Sequence, residues 1–160
     1  MQGFIFYAFI SCLLVVTFID IDHQIIPNGI TLPGIPIFFL ASFAVPDVTY
    51  VDSILGLLAG GGSLYAVGWA YYLIKEKEGM GGGDIKLLAM IGALLGWKGV
   101  VFTIFTGSAF GTFAGLIVMA SKRLMDAKLR IPFGPFLSIG AISYVFFGEK
   151  VIFWYLNMLR

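Results

Sequence analysis

The stretch Phe4-Ile5-Phe6-Tyr7-Ala8-Phe9-Ile10-Ser11-Cys12-Leu13-Leu14-Val15-Val16-Thr17-Phe18-Ile19-Asp20 carries no charge until its last residue. As a helix the uncharged part rises about 24 Å, close to the ~30 Å hydrocarbon core of a bilayer. Similar runs recur outward from it. They cover about Ile30 to Val45, Val51 to Ile74, Ile85 to Trp97, Val100 to Ala120, and Pro135 to Phe147, the last with a possible continuation from Val151 to Leu159. The pattern predicts an all-α, polytopic membrane protein of about six transmembrane helices. The fourth run is short for a crossing, so it must be buried in the bundle or lie where the membrane thins.

Composition leads to the same class. Of 160 residues, 59% are hydrophobic and 12% charged, where soluble domains carry about 25% charged side chains. The length fits one membrane-embedded domain over residues 1–160. A net charge of +1 argues against a nucleic-acid partner, which would call for a basic surface. The single cysteine, Cys12, permits neither an internal disulfide nor a CxxC metal clamp and is expected to pack within the first span. The opening residues lack the basic start and small-residue cleavage site of a signal peptide.

Basic residues should collect on the cytoplasmic side of short loops. With the loops assigned alternately to two sides, one side receives Lys75, Lys77, Lys86, Lys122, Arg123, Lys128 and Arg130, and the other Lys98, Lys150 and Arg160. Asp20 and Asp84 fall on the basic, cytoplasmic side, and Asp47 and Asp52 on the other. The loop from Lys122 to Arg130 is expected to set topology and touch anionic lipid headgroups. Glycines repeat every four residues at Gly56 and Gly60, Gly92 and Gly96, and Gly107, Gly111 and Gly115. This spacing lets helices approach closely in lipid, so these read as packing positions.

Two polar constellations stand out. One is Asp20-Ile21-Asp22-His23-Gln24-Ile25-Ile26-Pro27-Asn28, and the other is Gly79-Met80-Gly81-Gly82-Gly83-Asp84-Ile85-Lys86. A carboxylate near the hydrocarbon boundary is costly and marks a functional site by default. If the two meet, they form a pair in which one acid keeps its proton while the other stays charged. The charged member takes a proton from water, and the protonated one polarises an amide carbonyl. The pair titrates as a unit, so neither role belongs permanently to one residue. Gly81 to Gly83 would allow backbone angles closed to other residues and let an extended peptide approach the acid.

The stretch from Asp20 through Ile26-Pro27-Asn28 with Thr31-Leu32-Pro33, then Gly81-Gly82-Gly83-Asp84-Ile85-Lys86-Leu87, then Ile131-Pro132-Phe133-Gly134-Pro135-Phe136-Leu137, resembles the type IV prepilin peptidases, membrane aspartyl proteases of the GxGD kind. Three ordered motifs carry the resemblance over nearly the whole chain. It implies that Asp20 and Asp84 are the catalytic aspartates and that no cofactor is needed. Asp22 is the rival to Asp20. Residues two apart on a helix face different directions, so only one of them should point at Asp84. Asp22 and His23 then read as solvated or supporting groups, and Lys86 as the partner of a nearby acid or a lipid phosphate. The implied substrates are prepilins and pseudopilins of type II secretion. These carry a short basic leader ending in glycine, followed by an apolar helix, and are cut at the cytoplasmic face of the inner membrane. Glu76 and Glu78, alternating with Lys75 and Lys77, read first as an ordinary solvated loop, and acids there would also favour docking of such a leader.

Many family members carry a further region with two CxxC pairs and an activity that methylates the new amino terminus. This chain, with one cysteine, is expected to cleave without methylating, as a peptidase-only member or a fragment of a longer enzyme. Two competing readings use the same acids. Asp20, Asp22, His23 and Asp84 would gather a divalent metal, or the acids would line an ion path. Against the second, the acids cluster at one face and no charge lies mid-span. A non-enzymatic assembly subunit would explain the glycines but not the aspartates.

Overall fold

The computed structural model describes residues 2–46, 48–75, 81–120 and 132–158, and among these the regular elements are helices alone. They are α1 (Gln2–His23), α2 (Asn28–Ser42), α3 (Tyr50–Lys75), α4 (Gly82–Ala120) and α5 (Gly134–Met158). Three are long and apolar enough to cross a membrane: Gln2–His23, Tyr50–Ile74 and Gly82–Ile117. Asn28–Ser42 and Gly134–Gly148 are shorter apolar helices. The protein is a helical membrane protein.

Local chemistry sets the helix ends. α1 stops where Gln24 turns into the left-handed region, φ 55°, its N–H still bonded to the Asp20 carbonyl at 2.9 Å. Pro27, extended at φ −69° and ψ 122°, precedes α2. α3 opens on a reciprocal cap. The Asp52 N–H donates to Thr49 Oγ1 at 3.2 Å, and the Thr49 N–H donates back to Asp52 Oδ2 at 3.2 Å, which satisfies two donors a helix start leaves bare.

The fourth and fifth apolar runs are not separated by a loop. They are two arms of α4, 82–95 and 97–120, joined at Gly96 with φ 72° and ψ −179°. That conformation is nearly exclusive to glycine, so one residue does the work of a turn. The second arm then returns antiparallel to α5: Gly99 approaches Tyr144, Gly107 the Phe136 carbonyl, and Gly140 the Thr103 carbonyl.

The first arm is the centre of the bundle. Leu87 to Leu95 are all buried, with Leu87, Leu88, Met90, Ile91, Ala93 and Leu94 at 0% exposure. Across its most apolar window α4 is 72% buried, against 22% for α1 and for α3. A helix apolar on every side belongs where neighbours surround it, which is why a short segment is tolerated here. α3 reaches it through glycine. A side chain at Gly56 would stand 2.3 Å from the Gly92 carbonyl, and one at Gly60 2.4 Å from that of Leu88. α2 approaches at Gly34, against the Met90 side chain. The Phe9 and Phe38 rings join α1 to α2 edge-on at 5.0 Å.

The described ends sort to two sides as alternating spans require. Asp20, Ile26, Asn28, Gly83, Lys86 and Gly134 meet at one end. Asp52, Gly96 and Trp97 meet at the other. Asp47, Glu76, Lys77, Glu78, Gly79, Met80, Lys122, Arg123, Lys128, Arg130, Ile131 and Arg160 lie outside the described residues.

Candidate active site

Asp20 lies three residues before the end of α1 and is 5% exposed. Its Oδ2 accepts the backbone N–H of Gly134 at 3.1 Å. Gly134 opens α5, where the first four amides have no partner within the helix. A carboxylate answers that need and suits the positive end of the helix dipole. Position 134 has no room for a side chain, since a Cβ would sit 2.5 Å from the same oxygen and 3.3 Å from Ile26 Cδ1.

Asp84 stands in the first turn of α4, partly buried. Ile26 bridges it to Asp20, because its side chain touches Gly134 on one flank and Gly83 on the other. Asp20 and Asp84 thus stand at the same end of the bundle, linked through Ile26. The two polar constellations therefore form one site with the turn that opens α5.

Asp22 and His23 are exposed on the last turn of α1, turned away from the interior that Asp20 faces. Asp20, Asp22, His23 and Asp84 do not form a ligand set, and among the described residues no group of three or more His, Cys, Asp or Glu side chains gathers. Lys86, expected to meet an acid or a phosphate, donates instead to Asn28 Oδ1 at 2.8 Å. The bond ties the start of α2 to the start of α4.

The glycine run works differently from the expectation that it supplies unusual backbone angles. Positive φ among the described glycines is confined to Gly96. Gly82 and Gly83 are already helical. Gly83 is needed for space, since a Cβ there would lie 2.7 Å from Ile26 Cβ. Gly81 is exposed and open, with Asp84 Oδ2 3.6 Å from where its Cβ would be.

The roles of Gly134 and Ile26 were not readable as such in the sequence. An amide donor has no side-chain signature, although Pro135 directly after Gly134 marks a helix start whose bare amides seek an acceptor. Asp52, at the far end, accepts from Trp97 Nε1 at 3.1 Å as well as from Thr49. It thus fixes the Gly96 turn to the start of α3, a structural task.

The site is also recessed. Since Gly60 lies against Leu88 and Gly107 against Phe136, α3 beyond about residue 64 and α4 beyond about residue 111 overrun the level of the carboxylates. At 1.5 Å per residue the α3 overrun is roughly 16 Å. These ends are apolar and exposed: Trp69, Leu73 and Ile74 on α3, Phe113, Leu116 and Ile117 on α4. Apolar surface therefore continues past the acids on that side.

Apolar helices that bring two acids, Asp20 and Asp84, to one end of the bundle define a polytopic helical membrane protein with a candidate acidic site, and comparison with known proteins is specific. The model of the type IV leader peptidase family matches residues 7–116. The chain belongs to that family. It is 36% identical over 149 residues to the prepilin leader peptidase/N-methyltransferase of Aeromonas hydrophila, covering 91% of this chain and 50% of that protein. The protein of the same name from Pseudomonas aeruginosa is 36% identical over 145 residues, 91% of this chain and 50% of the relative. That from Legionella pneumophila is 34% identical over 152 residues, with the same two shares. The chain spans about half the length of these relatives. No solved structure matches it significantly.

Proposed function

We propose that this chain is an aspartic endopeptidase that removes the basic leader from prepilins and pseudopilins, cutting after a glycine at the cytoplasmic face of the inner membrane. Asp20 and Asp84 are the catalytic residues of a single membrane-embedded domain, with Gly81 and Gly83 giving access and space beside Asp84. Asp22 stays solvated, and Lys86 holds the start of α2. The observation that carries the reading is the convergence of Asp20 and Asp84 around Ile26, with the Gly134 amide fixing Asp20.

The chemistry follows from the pair. One carboxylate takes a proton from a water whose oxygen attacks the carbonyl carbon, while the other, protonated, donates to the carbonyl oxygen. The tetrahedral species collapses with breakage of the C–N bond, and the departing nitrogen takes the proton gained in the first step. The products are a leader ending in a glycine carboxylate and a free amine on the apolar segment. The apolar walls formed by the ends of α3 and α4 suit a substrate whose cleavage point adjoins a hydrophobic helix.

Full-length protein in detergent or vesicles, given a synthetic prepilin and followed by mass analysis, tests this. Cleavage after the glycine, lost in Asp20→Asn and in Asp84→Asn and kept with chelator, is the expected result. Chelator sensitivity would point to a metal, and proton flux without cleavage to transport. The same assay with a methyl donor reads whether the new amine is methylated.

A further inference from the structure

Among the described residues, the buried side-chain oxygens without a hydrogen-bond partner are Thr17 Oγ1, Thr103 Oγ1 and Ser138 Oγ. A helical hydroxyl can be satisfied by the carbonyl four residues back. Ser11 does this with Tyr7 at 2.8 Å, and Thr31 with Pro27 at 3.3 Å. Thr17 and Ser138 do not, although both oxygens are buried and Ser138 is 1% exposed. A buried hydroxyl left unpaired is costly, so each calls for a partner outside its own helix.

Both lie one turn beneath the acid. Thr17 is three residues before Asp20 and Ser138 four after Gly134, and residues at those spacings share a helix face. The two faces are the ones that meet, because α1 packs along α5 and the Gly134 N–H donates to Asp20 Oδ2 at 3.1 Å. α1 ends at this level and α5 begins here. The hydroxyls are therefore set back to the same side of that contact, by about 4.5 Å on α1 and about 6 Å on α5. Side chains lean toward the start of their own helix, so Asp20 leans inward along α1 and Ser138 outward along α5, each toward the other. One water with two bonds of about 2.8 Å spans a gap of that size.

We infer that Thr17 and Ser138 are positioning residues that hold one water beneath the Asp20 carboxylate, on its membrane-interior side. The inference rests on the proposed peptidase function. A buried water needs several polar partners, and two hydroxyls with a carboxylate supply them. Hydroxyl and water both donate and accept, so this floor stays bonded to Asp20 whether the acid is charged or protonated, as the catalytic pair requires of it in turn. With the Gly134 amide on one oxygen and the water below, the carboxylate is held in one orientation toward the substrate. Neither hydroxyl touches the reacting atoms.

The test uses full-length protein in detergent and a synthetic prepilin, with kcat, KM and melting temperature read for each variant. Thr17→Val keeps the shape and removes only the hydroxyl. It and Ser138→Ala are each expected to lower kcat roughly 5- to 50-fold with KM within about twofold of wild type. The double variant is expected to be no worse than the poorer single one, since both act through the same water. Thr17→Ser restores a hydroxyl and is expected to restore kcat to within about twofold. Thr103 is the control. It too carries an unpartnered buried hydroxyl, but it packs against Gly140, about 9 Å along α5 from Gly134, and Thr103→Val is expected to leave kcat unchanged. Wild-type kcat in Thr17→Val and Ser138→Ala would overturn the floor while wild-type cleavage still upheld the peptidase. So would an equal loss in Thr103→Val, or failure of Thr17→Ser to rescue. If Ser138→Ala fails to fold, the two Thr17 variants decide. No cleavage by wild type would overturn the peptidase reading, and the floor with it.

Discussion

The backbone amide of Gly134 donates to the Asp20 carboxylate at 3.1 Å, across 114 residues of sequence. The same position excludes any side chain, because a Cβ would stand 2.5 Å from the accepting oxygen. Gly134→Ala should therefore push the acid out of place. A hydrogen bond to a charged group is worth about 1.5–3 kcal/mol, so kcat should fall roughly 10- to 100-fold. KM should stay near wild type, while the melting temperature falls by the few degrees that losing this bond implies. A large loss of stability with kcat preserved in the folded fraction would show Gly134 to be structural only.

Burial separates the two acids of α1. Asp20 is 5% exposed and held by an amide, whereas Asp22 is exposed. Asp20→Asn and Asp84→Asn should each reduce cleavage of a synthetic prepilin at least ~1000-fold, and the double variant should be no worse, since groups acting as a unit are not additive. Asp22→Asn should remain within about threefold of wild type. The reverse pattern would move the catalytic role to Asp22.

Lys86 and Asn28 form a hydrogen bond between the starts of α4 and α2. Lys86→Met and Asn28→Ala should each lower kcat/KM about three- to tenfold, and together no further. The shortfall from additivity measures their coupling, expected at roughly 0.5–1.5 kcal/mol. Strictly additive losses would mean that each residue acts alone.

Two glycines of α3 separate close packing from mere composition. At Gly60 a Cβ would meet the Leu88 carbonyl at 2.4 Å, while at Gly62 nothing lies within 4 Å. Gly60→Ala should destabilise by about 1–3 kcal/mol. Gly62→Ala should be neutral or stabilise by up to about 1 kcal/mol through helix propensity. Thermal unfolding in detergent distinguishes them.

Gly96 carries the φ of 72° at which α4 turns back. Gly96→Ala should cost about 1–3 kcal/mol in backbone strain alone, read as a lower melting temperature. Any side chain there also meets Asp52 Cβ at 3.1 Å.

Much of this architecture was legible in the hydropathy of the chain, and the exceptions have physical causes. Asp20 and Asp84 stood out because each ends or opens an apolar run where a charge is expensive. Asp20 is buried and Asp22 exposed, a difference that helical spacing alone does not fix. The glycines at 56, 60 and 92 read correctly as packing positions, because spacing of four is itself the geometry of a helix face. Gly96 fits the same spacing, yet its main use is a dihedral angle, which spacing does not encode. Gly81 to Gly83 suggested unusual backbone, but room for Ile26 at Gly83 depends on a neighbour 57 positions away in the chain. The Lys86 bond to Asn28 was missed for a similar reason, since a cation among acids suggests an ion pair before an amide.

The central arm of α4 needs neighbours from both earlier and later parts of the chain, and so does Asp20, whose amide partner opens α5. A nascent chain completed to residue 120 already contains both acids without the group that anchors one of them. Anchoring of the buried acid must await α5, so the nascent polypeptide lacks the amide that holds Asp20 until residue 134 has been added.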